Sequence, residues 1–194
     1  LLWILITGVW VGAYPREWAD QHFLRGWHAL WSELAWSAGW HDAALIEDER
    51  ALAALETPDG WIRLGDHARA MGDTRGALKA YREAVVLTPP YVAAVAHEGD
   101  MMRASGDEEA ARKAFVGDYV DQQRLAEWSW RELRPGPSAY VNVGDGVDFG
   151  YIGGVYMAEK QQGVMARWSD GRALLRLPGA GPGVLRLRLA APHP

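Results

Sequence analysis

The sequence predicts an α+β protein: a stack of α-helical hairpins, preceded by part of a transmembrane helix and followed by a small antiparallel β-sandwich-like domain. Three observations predict it. The chain matches itself at a shift of 34 residues. Residues 1–14, LLWILITGVWVGAY, carry no charge. Half of the 22 glycines fall in the last 61 of the 194 residues, beyond the break Arg134-Pro135-Gly136-Pro137.

The N-terminal run comes first. A bilayer span takes about 20 apolar residues, more than this run supplies. No basic stretch precedes it and no small-x-small cleavage pattern follows, so it does not fit a complete signal peptide. Residues 1–15, closed by Pro15, therefore read as the tail of a transmembrane helix whose start lies upstream. Trp3, Trp10 and Tyr14 suit a membrane interface. A short buried core helix or strand is the other reading of such a run.

The repeat occupies residues 20–133. Gly65-Asp66 falls on Gly99-Asp100, Arg69-Ala70 on Arg103-Ala104, and Gly72-Asp73 on Gly106-Asp107. Ala77, Lys79, Ala80 and Tyr81 fall on Ala111, Lys113, Ala114 and Phe115. Each unit reads as two antiparallel helices that cannot bury their apolar faces alone. Gly65 and Gly99 leave room for a neighbouring helix. Gly72-Asp73 and Gly106-Asp107 break the chain between the helices of a hairpin. Ala77 and Ala111 are small where helices cross. Tyr81 and Phe115, one turn on, fill the remaining gap. Pro89-Pro90 ends the second helix of its unit. An earlier hairpin follows from Trp27 and Leu30, 34 before Trp61 and Leu64, and from Gly39, Ala44 and Ala51, 33 before Gly72, Ala77 and Ala84. A one-residue change of length in the turn accounts for the two offsets.

Trp61, Leu64, Gly65, Ala77, Tyr81, Ala84 and Pro89 resemble the consensus of the tetratricopeptide repeat, with Ala68 where an aromatic is usual. The next unit keeps Gly99, Ala111 and Phe115. It departs at Val95, Glu98, Asp118 and Gln123, as a terminal unit does. The resemblance implies a scaffold that holds a protein or peptide partner in a concave groove. Trp27, Trp31, Trp36, Trp40 and Trp61 read as packing residues, since large aromatics mostly serve cores. Trp128 and Trp130 read as a cap or as a face toward the next domain.

The segment 138–194 reads as a small β-domain that continues beyond Pro194. Candidate strands are 140–143, 151–157, 163–168, 172–177 and 184–189. Ser169-Asp170-Gly171 reads as a hairpin turn between the third and fourth. Val184-Leu185-Arg186-Leu187-Arg188-Leu189 alternates apolar and basic, the pattern of a strand with one wet face. The run 144–151 (GDGVDFGY), with Glu159 and Ala166-Arg167-Trp168, resembles β-modules at the ends of bacterial membrane proteins linked to glycosyl transfer. The resemblance implies a carbohydrate-binding accessory tail of a cell-envelope glycosyltransferase or polysaccharide ligase. Glu159, Arg167 and Trp168 are then candidate sugar contacts, an aromatic face beside charged partners. A cross-strand ion pair beside a core Trp is the other reading of the same three residues.

The sequence carries few chemical signatures. Lys+Arg 20 against Asp+Glu 25 gives a net charge of −5, which gives no basic face for nucleic acid. There are no cysteines, so thiol catalysis and thiolate metal sites are excluded. Gly144, Gly146 and Gly150 miss the dinucleotide spacing, and no phosphate loop, HExxH or nucleophile elbow occurs. The six histidines lack metal spacing, and His67 reads as a surface helix residue. Asp145 and Asp148 flank a glycine turn, solvated or able to hold Ca²⁺. Glu47-Asp48-Glu49 reads as a wet helix face. The expectation is a non-enzymatic protein with no catalytic residues, cofactor or metal. It is a membrane-anchored interaction scaffold with its soluble part outside the cytoplasm, or else the carbohydrate-binding tail.

Overall fold

The computed structural model describes residues 16–89, 91–117, 120–161, 163–169 and 171–187. It is mostly helical, with small antiparallel sheets near the C-terminus. The predicted span 1–15 lies outside the described residues. No helix among the described residues is long and apolar enough to cross a membrane.

Three helical hairpins follow one another: α1 (Arg16–Ser37) with α2 (His41–Ala54), α3 (Pro58–Ala70) with α4 (Thr74–Leu87), and α5 (Val92–Ala104) with α6 (Glu108–Phe115). A single helix, α7 (Gln122–Glu132), packs on α5. The helix starts are set by local chemistry. Thr57, Asp73, Asp107 and Asp121 each accept a backbone N–H of the following first turn, and Pro58 takes the opening position of α3.

The three hairpin turns are one motif repeated. Gly39, Gly72 and Gly106 stand at φ 79°, 82° and 85°, a left-handed conformation that favours glycine. Each donates its N–H three residues back, to Trp36, Arg69 and Arg103. The following N–H reaches five residues back, to Ala35, Ala68 and Met102. The turns therefore have the same length, and the hairpins stand 33 and then 34 residues apart. The sequence-based offset of 34 for Trp27 and Leu30 is corrected to 33. His28 and Trp31, not Trp27 and Leu30, stand where Trp61 and Leu64 stand in the next hairpin. Trp27 and Leu30 are displaced onto the outer face of α1, 42% and 53% exposed.

In this register Ala44, Ala77 and Ala111 are equivalent, and none is exposed. So are Ser32, Gly65 and Gly99, all buried. A Cβ on Gly65 would stand 2.5 Å from Tyr81 Cε1, and one on Gly99 would stand 2.6 Å from the Phe115 ring. Each glycine thus seats the aromatic of its own hairpin partner helix. Burying a Phe or Tyr ring contributes about 2–3 kcal/mol.

The chain beyond Arg134 differs from the predicted five-stranded sheet. β1 (Ile152–Gly153) pairs with β4 (Leu174–Leu175), and β2 (Ala158–Gln161) pairs with β3 (Val164–Arg167), both antiparallel. The hairpin signal at 169–171 predicted that β3 joins β4. Instead β3 turns back on β2 around Gly163, at φ 85°. The strand predicted at 140–143 does not form. Ser138 Oγ donates to the Tyr140 carbonyl and accepts its N–H, and Gly144 at φ 92° breaks the extended path. Residues 184–187 are irregular and exposed, with no ladder partner among the described residues to fix the alternating pattern. Residues 188–194 lie outside the described residues.

This segment does not stand apart from the helices. Val147 and Phe149 share one core with Val95, Phe115, Leu125 and Leu133. The Phe115 and Phe149 rings lie 5.0 Å apart.

Candidate functional site

The first helix of each hairpin, with α7, lines a concave groove of about 690 Å³. Trp36 of α1 and Trp128 of α7 contribute from helices at the two ends of the series. Asp59, Ile62 and Asp66 of α3 and Tyr91 at the start of α5 contribute between them. The alternation of lining and backing helices follows from the hairpins. Each apolar seam between partners, such as Gly65 against Tyr81, turns the opposite face of the first helix outward.

The groove floor rests on a buried carboxylate. Asp48 on α2 is fully buried. Its Oδ1 accepts from Arg63 Nε at 2.6 Å, and its Oδ2 lies 2.7 Å from His67 Nδ1. Arg63 and His67 are one turn apart on α3, so a single carboxylate can hold both. The His67 ring stacks under Trp36, centroids 4.0 Å apart and planes 12° apart. Burial pushes the Asp48 carboxyl up, but hydrogen bonds with His67 and Arg63 outweigh it and leave it below the ordinary carboxylate value.

Two residues lie elsewhere than the sequence predicts. Asp48 is not part of a wet face: Glu49 is exposed, Glu47 is half-buried against His28, and Asp48 points inward. His67 is not a surface residue but is 6% exposed. Helical rotation separates three consecutive acidic residues onto different faces.

The groove carboxylates are Glu33, Asp59 and Asp66. Asp66 accepts from the Tyr81 hydroxyl at 2.8 Å, and Asp59 accepts from Tyr91. Burial and the bond to Asp59 push the Tyr91 phenol up to about 12, so it stays protonated and donates. His97 lies behind, stacked on Tyr81 at 4.9 Å and edge-on to Trp128 at 5.4 Å. Its Nδ1 is buried without a hydrogen-bond partner, 3.7 Å from Asp66. Burial, assisted by Arg69, holds its pKa below the ordinary value, against the pull of Asp66 and Asp100.

A second buried carboxylate ties the helices to the C-terminal segment. Asp100, 2% exposed, receives Arg69 at 2.7 Å and Arg103 at 2.6 Å. Arg103 also donates to the Val147 and Phe149 carbonyls at 2.6 and 2.7 Å, and its guanidinium lies over the Tyr151 ring. Arg176 makes a parallel tie to the Trp130 and Leu133 carbonyls.

The residues expected to pack the repeat do so unevenly. Gly65, Ala77, Tyr81, Ala84, Gly99, Ala111 and Phe115 are buried, Trp61 and Leu64 are half-buried, and Pro89 is exposed just past α4. Trp27, Trp31 and Trp40, expected to pack, are instead 42%, 43% and 67% exposed. The three candidate sugar contacts are not one cluster. Trp168 Nε1 donates to Glu159 at 3.2 Å across the β2–β3 ladder. Arg167 turns inward, its side chain 1% exposed, and makes two bonds to Asp148 at 2.7 and 2.9 Å. The predicted Glu159–Arg167 cross-strand pair is therefore absent. Asp148 is correspondingly no solvated turn residue: it is 1% exposed and also accepts the Gly144 N–H. With both oxygens engaged by Arg167, it is not poised to ligate Ca²⁺.

Sequence reasoning missed the groove lining of Trp36, Asp59, Ile62, Asp66 and Tyr91. The available signal was positional. Once Gly65 is assigned to the helix seam, Ile62, Asp66 and Asp59 follow on one flank of α3, about 60° to 120° round from it.

No protein-family model matches the chain. The chain is similar to the chromosome partition protein Smc of Delftia acidovorans (strain DSM 14801 / SPH-1), with 27% identity over 166 residues covering 78% of this chain. It spans 13% of the length of that relative.

Proposed function

We propose that the protein is a non-enzymatic scaffold of tetratricopeptide-repeat type that holds a segment of a partner protein in its groove. It is tethered to a membrane through residues 1–15, with its soluble part outside the cytoplasm. The observation that carries the reading is the groove itself, lined from four helices, with Trp36 and Trp128 contributed by helices at opposite ends of the series. Preformed concave surfaces of stacked hairpins bind by shape and by the side chains that face inward.

The tether is supported by the outer face of α1. Phe23, Trp27, Leu30 and Leu34 are exposed on the side opposite buried Ser32 and Ala35, and Leu24 and Trp31 are exposed on its flank. The terminal face of a helical stack is ordinarily polar. An aromatic one directly after the uncharged run 1–14 suits a helix lying at a membrane interface, where Trp is favoured. The carbohydrate-tail reading loses support, because Arg167 is spent on Asp148 and only Glu159 and Trp168 remain near the surface.

The test is selection of peptides by the full chain from a displayed random library, repeated with Ile62→Glu. Selected peptides that the variant no longer binds support the groove. Peptides held equally by both place the binding elsewhere and refute it.

A further inference from the structure

We propose that the groove selects an extended protein segment rich in Lys and Arg; the inference rests on the groove reading above and names its ligand class. Glu33, Asp59 and Asp66 face the groove. Arg63 also lines it, but its Nε lies 2.6 Å from Asp48 and 4.0 Å from Glu33 Oε1. The buried carboxylate thus neutralises the groove's arginine from below. His67 lies against the same carboxylate. With Asp48 counted against Arg63, the three acidic side chains of the groove leave a net negative charge.

The partners of the acidic residues do not cancel them either. Tyr81 and Tyr91 donate neutral hydroxyls to Asp66 and Asp59, which orient the carboxylates and leave their charge. Each hydroxyl occupies only the Oδ1 atom. Glu33 has a side chain 59% exposed, and Asp66 one 46% exposed, so both reach the groove's opening. Three carboxylates in the groove, with its one lining arginine shared between Glu33 and the buried Asp48, create a net negative potential that a wall of helices focuses.

The aromatic walls fit the same ligand. The Trp128 ring, which meets His97 edge-on, offers a face to cations and to the methylene stems of Lys and Arg, whereas Trp36 is already stacked on His67 and lies against His41. Among the described residues neither indole N–H has a hydrogen-bond partner, so both can donate to the carbonyls of an extended segment. A groove lined from four helices suits a chain better than a compact molecule. The protein's net charge of −5 draws basic partners from a distance as well.

The experiment compares three short, labelled peptide libraries on the full chain by fluorescence anisotropy. They are identical except that alternating positions are Lys or Arg, Gln, or Glu. The basic library is expected to bind about tenfold or more tighter than the Gln library, with the preference shrinking as salt rises. The double variant Glu33→Gln and Asp59→Asn, both at exposed positions, should remove that preference and keep the Gln-library affinity. Gln or Glu peptides bound as tightly as basic ones, and lost in Trp128→Ala, would overturn the charge assignment and leave the groove reading standing. Binding of none of the libraries would overturn both. Circular dichroism on each variant separates lost binding from lost folding.

Discussion

Asp48 occupies in the first hairpin the place that Tyr81 occupies in the second, 33 residues on, and Phe115 in the third, a further 34. All three are fully buried. Tyr81 and Phe115 sit against glycines, Gly65 and Gly99, whereas the residue equivalent to those glycines in the first hairpin is Ser32. One seam of the stack thus exchanges an aromatic-on-glycine contact for a polar pair. The exchange directs a carboxylate at Arg63 and His67 and so sets the charge of the groove floor.

Asp48→Asn should destabilise the fold by about 3–5 kcal/mol, because it leaves Arg63 without its buried counter-charge. Urea unfolding at neutral pH measures this. The same carboxyl makes stability depend on acid. Its folded value is lowered, so its contribution is fully present above its ordinary value of 3.8 and is lost as pH falls through the lower folded value. The acid limb of the stability curve should flatten in the variant.

His97 acts in the opposite range. Its folded pKa lies below the ordinary 6.5, so the unfolded chain takes up the proton first. Stability should therefore decline as pH falls through 6.5 toward the folded value. Replacement by Gln, which does not titrate, should remove that slope. Thermal unfolding across this range decides it.

The glycines divide by mechanism. Gly99→Ala forces a Cβ to 2.6 Å from the Phe115 ring and should cost about 1–3 kcal/mol through overpacking. Gly106→Ala meets nothing within 4 Å, but Gly106 stands at φ 85°, so that variant should cost about 1 kcal/mol through backbone strain alone. Denaturant midpoints of the two variants should rank in that order.

Arg103→Lys keeps the charge but loses the fork that spans Asp100 and the Val147 and Phe149 carbonyls. It should cost about 1–3 kcal/mol and loosen the segment after Arg134 before the helices. Limited proteolysis should then cut beyond Arg134 sooner, with helical circular dichroism unchanged.

The helical part of the fold was legible where backbone need dictates residue type. Gly72-Asp73 and Gly106-Asp107 mark turns because a positive φ and an N-cap each admit few residues. Gly65 with Tyr81 was legible because a missing side chain and a large ring only make sense together. The first hairpin was less so. Trp27 and Leu30 look like the consensus at one offset, while the turn glycine fixes another, and only the geometry of Gly39 shows which governs. The polar interior was not legible. Asp48 and Asp148 read as solvated residues because their partners, Arg63, His67 and Arg167, are 15 to 19 residues away and are brought to them by the fold and not by spacing. Short strands such as β1 and β4, two residues each, fall below any pattern that alternation can reveal.

The groove between Trp36 and Trp128 is the proposed seat of the partner segment. Hydrogen exchange on the full chain, with and without the best basic peptide from the library comparison, tests it most directly. Slowed exchange is expected in α3, which carries Asp59 and Asp66, and in α5 with Tyr91 just before it, with no change in the β2–β3 ladder. Protection confined to residues 158–169, with α3 and α5 unchanged, would contradict it.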